Sequence, residues 1–186
     1  LLMERRSQLM SLLTRLYKYS LFLSPRFCGQ LMADFGAEVI KVEPPKQGDP
    51  MRVWGREKAH GQSLWWPVVA RNKKSVTLNL REQEGQDIAR DLISKADFLL
   101  ENFRPGVLAR LGLGYEDLNA VNPRLIYCSI SGFGQTGPNA NKGAFDVTVQ
   151  GFSGLMSVTG ETGGTPVKSG VPVGDFCAGL YAGYTI

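Results

Sequence analysis

Apolar and polar positions along residues 27–186 switch repeatedly between two periods. "AEVIKVE" (37–43) alternates as a strand does, and Pro44–Pro45 closes it. Ahead of it, "QLMADFG" has the form of a helix end with Gly36 as its stop. "KSVTLNL" (74–80) is a second, β-branched alternating run. "REQEGQDIARDLISKA" (81–96) puts Ile88, Leu92 and Ile93 on one helical face, as in a helix lying over a sheet. "DFLLENF" (97–103) is a third strand, ended by Arg104–Pro105–Gly106. "VLARLGLGYEDLNAVNP" (107–123) holds two short helices, the second stopped at Asn122–Pro123. "RLIYCSISGFG" (124–134) is a fourth strand with a glycine-rich exit.

Strands alternating with helices in this way pair in parallel through right-handed crossovers. The predicted fold class is α/β: an open, doubly wound, mostly parallel sheet of Rossmann-like form with flanking helices. Such sheets bind ligands at the carboxyl ends of their strands. Here those ends are Glu43–Pro44, Leu80–Arg81, Asn102–Phe103–Arg104 and Ser131–Gly132. Between the first two runs, residues 46–66 form a loop-rich stretch with aromatic anchors. After the fourth, "FDVTVQGFSGLMSVTG" begins as a helix and ends at Gly160, "GETGGTP" turns, and "PVKSGVPVGD" extends into a last helix. In that helix Phe176, Leu180, Tyr181 and Tyr184 recur at helical spacing.

Composition changes this picture only at the edges. Twenty-two glycines and ten prolines are scattered among periodic segments, so they mark turns. Of 21 basic and 17 acidic residues, five basic and one acidic fall in residues 1–30, which leaves 16 of each beyond. The body is electrically balanced, which argues against broad capture of nucleic acid. Cys28, Cys128 and Cys177 form no C-x-x-C pair and are expected to be buried free thiols in a reducing compartment. His60 is the one histidine, which argues against a multi-histidine metal site or a Ser–His or Cys–His engine. No apolar run reaches the roughly 18 residues that span a bilayer. A cytoplasmic protein is expected. The acid-poor, arginine- and serine-containing start leaves a mitochondrial presequence as the alternative.

Several side chains suggest chemistry. Asp175 opens the last helical pattern, where an N-cap belongs, and a cap contributes about 1 kcal/mol. The same place suits a nucleophile: the helix dipole and free amides favour an ionised carboxylate. Such an oxygen, facing an acyl thioester in a water-poor pocket, attacks it. Asp146 is likewise helix-initial and has the form of a cap. Arg104 and Arg110 flank "PGVLA" and suit either a solvated face or a phosphate, which the planar guanidinium fork matches. "GETGGTP" and "GLGYED" lack the endings of phosphate-binding loops.

Taken in order, "FCGQLMADFGAEVIKVEPP", "NKKSVTLNL", "ENFRPGVLARLGLGYEDL", "NPRLIYCSISGFGQTGP" and "SGVPVGD" carry more than periodicity. The series resembles the class III CoA-transferases, the group that includes formyl-CoA and carnitine CoA-transferases and α-methylacyl-CoA racemase. The resemblance spans residues 27–186. It implies that Asp175 is the nucleophile, forming first an aspartyl anhydride with the acyl group and then an aspartyl-CoA thioester. It implies CoA contacts at Leu78, Asn79, Leu80 and Arg81, at Asn102, Phe103 and Arg104, at Arg110 near the phosphates, and at Gly143, Ala144, Phe145 and Asp146. The implied partners are an acyl-CoA and a small carboxylic acid, with CoA thioester as substrate and no resident cofactor or metal. An interlocked homodimer is implied for the full-length form, and neither nucleic acid nor membrane binding.

The racemase branch places a histidine just before the acid matched by Asp146. Phe145 stands there, and it cannot shuttle a proton. Transfer is therefore preferred over racemisation, and a non-catalytic CoA-binding module is the third reading. "LFLSPRF" stands where the family has a first strand and a small-residue turn. Residues 1–26 are accordingly expected to be an atypical basic segment. Residues 27–186 are expected to be the N-terminal part of a large CoA-binding domain, inactive alone because its pocket is half built.

Overall fold

The computed structural model describes residues 16–19 and 23–186. In chain order its elements are β1 (Leu16–Tyr19), α1 (Leu23–Asp34), β2 (Val39–Glu43), β3 (Lys58–Ala59), β4 (Gln62–Ser63) and α2 (Trp65–Ala70). Then follow β5 (Lys73–Thr77), α3 (Gln83–Ser94), β6 (Phe98–Glu101), α4 (Val107–Arg110), α5 (Tyr115–Val121), β7 (Ile126–Ser129), α6 (Asp146–Phe152) and α7 (Val173–Thr185). Five strands form one sheet in the order β5–β2–β1–β6–β7, and every pair is parallel. The short strands β3 and β4 make a separate antiparallel hairpin.

The four expected strands are all present, and so is a fifth at the centre of the sheet. In β1, Leu16 is in register with Val39 on one side and Phe98 on the other. A strand of four residues, Leu-Tyr-Lys-Tyr, is too short to display a period of its own. With β1 in place, the order is that of a doubly wound nucleotide-binding sheet. The direction of winding reverses between β1 and β6, and a crevice opens there at the carboxyl ends.

Helices cover both faces, because the strands alternate. In β6, Leu99 packs on one side with Val42, Ala89, Ile93, Leu108 and Leu118. Phe98 and Leu100 pack on the other side with Cys28, Ala33, Val39 and Ala182. All four residues of β6 are buried, as a central parallel strand requires.

Two expected helix faces are corrected. In α3 the buried residues are Gly85, Ala89 and Ile93, while Ile88 is 42% exposed. The helix lies so close to the β5–α3 connection that a Cβ on Gly85 would sit 2.1 Å from the Asn79 carbonyl oxygen. Small residues therefore face inward. In α7 the buried residues are Gly179 and Ala182, while Leu180, Tyr181 and Tyr184 point outward. Gly179 meets α1 directly: a Cβ there would lie 2.6 Å from the Ser24 carbonyl oxygen. Phe176 does pack inward, edge-on to Phe27 with ring centres 4.7 Å apart.

Residues 46–66 are more ordered than expected, with a 3-10 turn at Pro50–Arg52 besides the hairpin. Trp65 and Trp66 pack against Leu23, Met51 and Val69, and Arg52 stacks 3.8 Å from the Trp66 ring centre. The thiols also differ from expectation: Cys28 is buried, Cys128 is half-buried and Cys177 is exposed. Among the described residues no helix is long and apolar enough to cross a membrane, and no group of His, Cys, Asp and Glu is placed to hold a metal ion.

Candidate active site

A cavity of about 400 Å³ opens at the crevice between the carboxyl ends of β1 and β6. Leu23 and Ser24 from the start of α1 form one wall, and Asn102, Ile130, Ser131 and Gly132 from the strand exits form the floor. Ala144 to Val147 and Gly174–Asp175 bring in the first turns of α6 and α7. Met51, Trp54 and Trp65 line the outer side. Among the described lining residues the one cation is Lys168.

Asp175 is the third residue of α7, one place beyond Gly174, and not its cap. Pro172 occupies the cap position and offers no side-chain acceptor. The carboxylate of Asp146 supplies what is missing. Its Oδ1 accepts hydrogen bonds from the backbone N–H groups of Gly174 (2.8 Å) and Asp175 (3.3 Å). Asp146 is itself the first residue of α6, with Phe145 in the cap position, so it caps a helix other than its own. The amides expected to steady Asp175 thus serve Asp146. Asp175 Oδ1 instead accepts from the Ser24 hydroxyl at 2.5 Å.

These contacts set the charge balance at Asp175. Burial pushes its carboxyl above the usual carboxylate range, and the nearby Asp146 charge pushes the same way. The Ser24 hydrogen bond and the Arg26 charge oppose the rise. A carboxylate with raised pKa is more basic, and so a better nucleophile once ionised.

Behind this wall lies a buried ionic network. Arg26, fully buried, donates from Nε and Nη2 to the two oxygens of Asp49 at 2.7 and 2.6 Å. The Lys41 ammonium pairs with Asp49 as well. Glu43, the last residue of β2, accepts from the Asp49 N–H (2.7 Å), Ser75 Oγ (2.8 Å) and Arg52 Nε and Nη2 (both 3.1 Å). Burial alone would raise the Glu43 pKa. Its bonds to Arg52 and Ser75, the Lys41 charge and the Asp49 amide outweigh that and hold it at about 2.

The other candidate residues divide by position. Asn102, Ala144, Phe145 and Asp146 line the same cavity as Asp175. Asn102 is fixed by a 2.7 Å hydrogen bond from its Nδ2 to the Ile130 carbonyl. Ala144 lies hard against Gly132, where a Cβ would approach the alanine methyl to 2.3 Å. Arg104 lies in a neighbouring groove of about 360 Å³ with Glu101, Tyr115, Tyr127, Ser129 and Gln135. Its guanidinium flanks Gly143, whose added Cβ would sit 3.1 Å from Nη2. Arg110, exposed, ends α4 and reaches back over Gly106. Phe103 packs partly against the β6 core. Leu78 and Leu80 are buried in that same core, away from both openings. Asn79 receives the Arg81 N–H at 3.2 Å, and Arg81 is exposed.

Three residues of the site went unnoticed in the sequence. Ser24 lies in the segment set apart as atypical. Gln150 is 1% exposed and donates to Asp146 Oδ2 at 2.6 Å. A polar residue four places after Asp146, on the same helical face, was the available signal. Glu101 ends β6, is 5% exposed, and burial raises its pKa to about 7 against the single opposing bond from the Phe103 N–H (2.7 Å).

The chain is similar in sequence and in shape to known proteins. The family model described as CoA-transferase family III matches residues 15–186, which includes β1 and Ser24. The succinyl-CoA–D-citramalate CoA-transferase of Chloroflexus aurantiacus is 51% identical over 90% of this chain and 42% of its own length. The succinate–glutarate CoA-transferase of Agrobacterium fabrum is 45% identical, covering 90% of this chain and 44% of its own. The human succinyl-CoA:glutarate CoA-transferase is 43% identical over 86% and 36%. The chain thus spans less than half the length of these curated relatives. In shape it matches a crystal structure of a CaiB/BaiF family protein from Brucella suis with TM-score 0.87 and 40% identity, over 92% of this chain and 46% of that one. A match running from residue 15 to residue 186, together with this shared shape, places the chain in CoA-transferase family III.

Proposed function

We propose that this chain supplies the nucleophile and part of the CoA-binding surface of an enzyme that moves CoA from an acyl-CoA to a small carboxylic acid. The observation that carries the reading is the Asp175 carboxylate in the cavity at the winding reversal of the sheet, beside Asn102 and the Ala144–Asp146 turn. An oxygen of Asp175 attacks the thioester carbonyl, the C–S bond breaks, and CoA leaves as thiolate. The thiolate then attacks the aspartyl carbonyl of the mixed anhydride and releases the first acid as its carboxylate. An acceptor carboxylate attacks the resulting aspartyl-CoA thioester, forming a second anhydride and freeing the thiolate again. Attack of the thiolate on the acceptor's acyl carbon makes the new acyl-CoA and returns Asp175 to its carboxylate. No water enters the cycle, so the acyl activation is kept.

Ser24 holds Asp175 in place and lowers its pKa. Arg104 and Arg110, both exposed, suit the CoA phosphates, and Asn102 to Arg104 with Gly143 to Asp146 form the surface along which CoA lies. Residues 27–186 belong in this reading to the large CoA-binding domain, joined by β1 at its centre. Relatives named for succinate, glutarate and D-citramalate direct the choice of substrate to small dicarboxylic acids. Lys168, the cation lining the cavity, suits the second carboxylate of such an acid. The full-length enzyme is an interlocked homodimer in this reading. Racemisation is disfavoured by Phe145, which offers no proton-carrying atom.

The test is covalent capture on the full-length protein. Incubation with succinyl-CoA is expected to add mass at Asp175, hydroxylamine to convert the adduct to a hydroxamate, and Asp175→Asn to abolish both. CoA binding without any adduct, or normal turnover by Asp175→Asn, would refute the assignment.

A further inference from the structure

The first turn of α7 has no cap of its own, and Asp146 substitutes for one. What holds Asp146 there is a single buried amide. Gln150 is 1% exposed, and its polar atoms are engaged in three directions. Nε2 donates to Asp146 Oδ2 at 2.6 Å and to the Val171 carbonyl at 3.5 Å, and Oε1 accepts from the Ser169 N–H at 2.8 Å. The amide orientation is dictated by its partners: an ionised carboxylate and a carbonyl only accept, and a backbone N–H only donates.

The two oxygens of Asp146 are thereby divided. Oδ2 receives Gln150 and Oδ1 receives the Gly174 and Asp175 N–H groups. The approach is tight, since a Cβ on Gly174 would sit 3.1 Å from Asp146 Oδ1. One side chain on α6 thus fixes both the link that enters α7 and the acid that caps the first turn of α7.

We propose that Gln150 is a positioning residue for Asp175, setting the rotamer of Asp146 and through it the place of the first turn of α7. The proposal rests on the reading of Asp175 as nucleophile. Its physical content is narrow. Ser24 determines where the Asp175 carboxylate points, and the Gln150–Asp146 pair determines where its backbone sits. A nucleophile must meet the thioester carbon within a few tenths of an ångström, and a displacement of about 1 Å costs on the order of a hundredfold in rate.

The test uses Gln150→Glu, Gln150→Leu and Asp175→Asn in the full-length protein, with kcat and KM for acyl-CoA followed from about pH 6 to pH 8. As an anion, the new glutamate repels Asp146; as a neutral acid, its hydroxyl donates to Oδ2 as the amide did. Asp146 faces the new group directly, and an added anion would raise the Asp175 pKa further; that shift lowers the variant's rate as pH falls, so a ratio that recovers in acid reports the added carboxyl itself. The expected result for Gln150→Glu is a kcat about ten- to a hundredfold lower near pH 8, with KM within about twofold, and a ratio to the unmodified enzyme that recovers as pH falls. Gln150→Leu should show the loss without the recovery. Equal kcat at every pH in both variants overturns the proposal. So does a rise in KM without loss of kcat, or loss of the cooperative thermal transition in Gln150→Glu, which would assign the residue to the fold alone. Turnover by Asp175→Asn overturns the underlying reading instead, and the two failures are distinguishable.

Discussion

Glu43 and Glu101 end β2 and β6, the two strands that flank β1, at the same carboxyl end of one sheet, and both are almost fully buried. Their protonation goes opposite ways: Glu43 is held at about 2, and Glu101 is pushed up to about 7. Desolvation is the largest influence on each and raises both. The difference is made by neighbours. Glu43 has Arg52, Ser75, the Lys41 charge and the Asp49 amide. Glu101 has the Phe103 amide, and no cation among the described residues relieves it. Burial at a strand end therefore does not determine the charge of a carboxylate here. The cations supplied by neighbouring segments do.

Removing an anion from the paired side should have the largest effect. Asp49→Ala leaves Arg26 and Lys41 buried without their shared partner and is expected to destabilise the chain by about 3–5 kcal/mol in denaturant unfolding. An effect below about 1 kcal/mol would show the network to be solvated. Glu43→Gln comes next. A folded pKa near 2 against 4.5 unfolded gives stability that is present above pH 4.5 and lost as pH falls through 2. The variant should be about 3 kcal/mol less stable at neutral pH, with the gap closing in acid.

Glu101→Gln should act in the opposite direction. With a folded pKa near 7, the unfolded chain ionises first as pH rises past 4.5, so the stability cost of Glu101 builds up from there to about pH 7 and remains in full above it. The variant should be about 1 kcal/mol less stable than the original below pH 4.5, because the new side chain buries an amide N–H, and about 2 kcal/mol more stable at pH 8, the full shift of about 3 separating the two. Stability curves that run parallel across this range would contradict the contrast. The smallest effect is expected from Ser24→Ala. Losing the hydroxyl donor raises the Asp175 pKa further, so the acid limb of kcat/KM for the full-length enzyme should move to higher pH. An unmoved limb would detach Ser24 from the nucleophile.

Local signals made most of the fold legible. The alternation in β2, the short apolar run of β6, the Gly36 stop with its positive φ and the Asn122–Pro123 stop are all properties of neighbouring residues. The strand β1 was not legible, because four residues that follow Arg15 and contain Lys18 display no period. The inward faces of α3 and α7 were misjudged because close approach favours Gly85, Ala89, Gly179 and Ala182 over larger residues. The site shows the same division. Asp146 and Asp175 stood out as helix-initial acids, yet neither caps its own helix. The bonds that define them run across 28 and 29 residues from Asp146 to the α7 amides, and across 151 from Ser24 to Asp175. Nothing in either local pattern encodes such separations.

Gly179 lies one helical turn beyond Asp175, against the Ser24 carbonyl. The hydroxyl and the carboxylate that meet at 2.5 Å are therefore mounted on two rods touching backbone to backbone. A single methyl at residue 179 would wedge those rods apart and open the Ser24–Asp175 gap while leaving every atom of the cavity chemically unchanged.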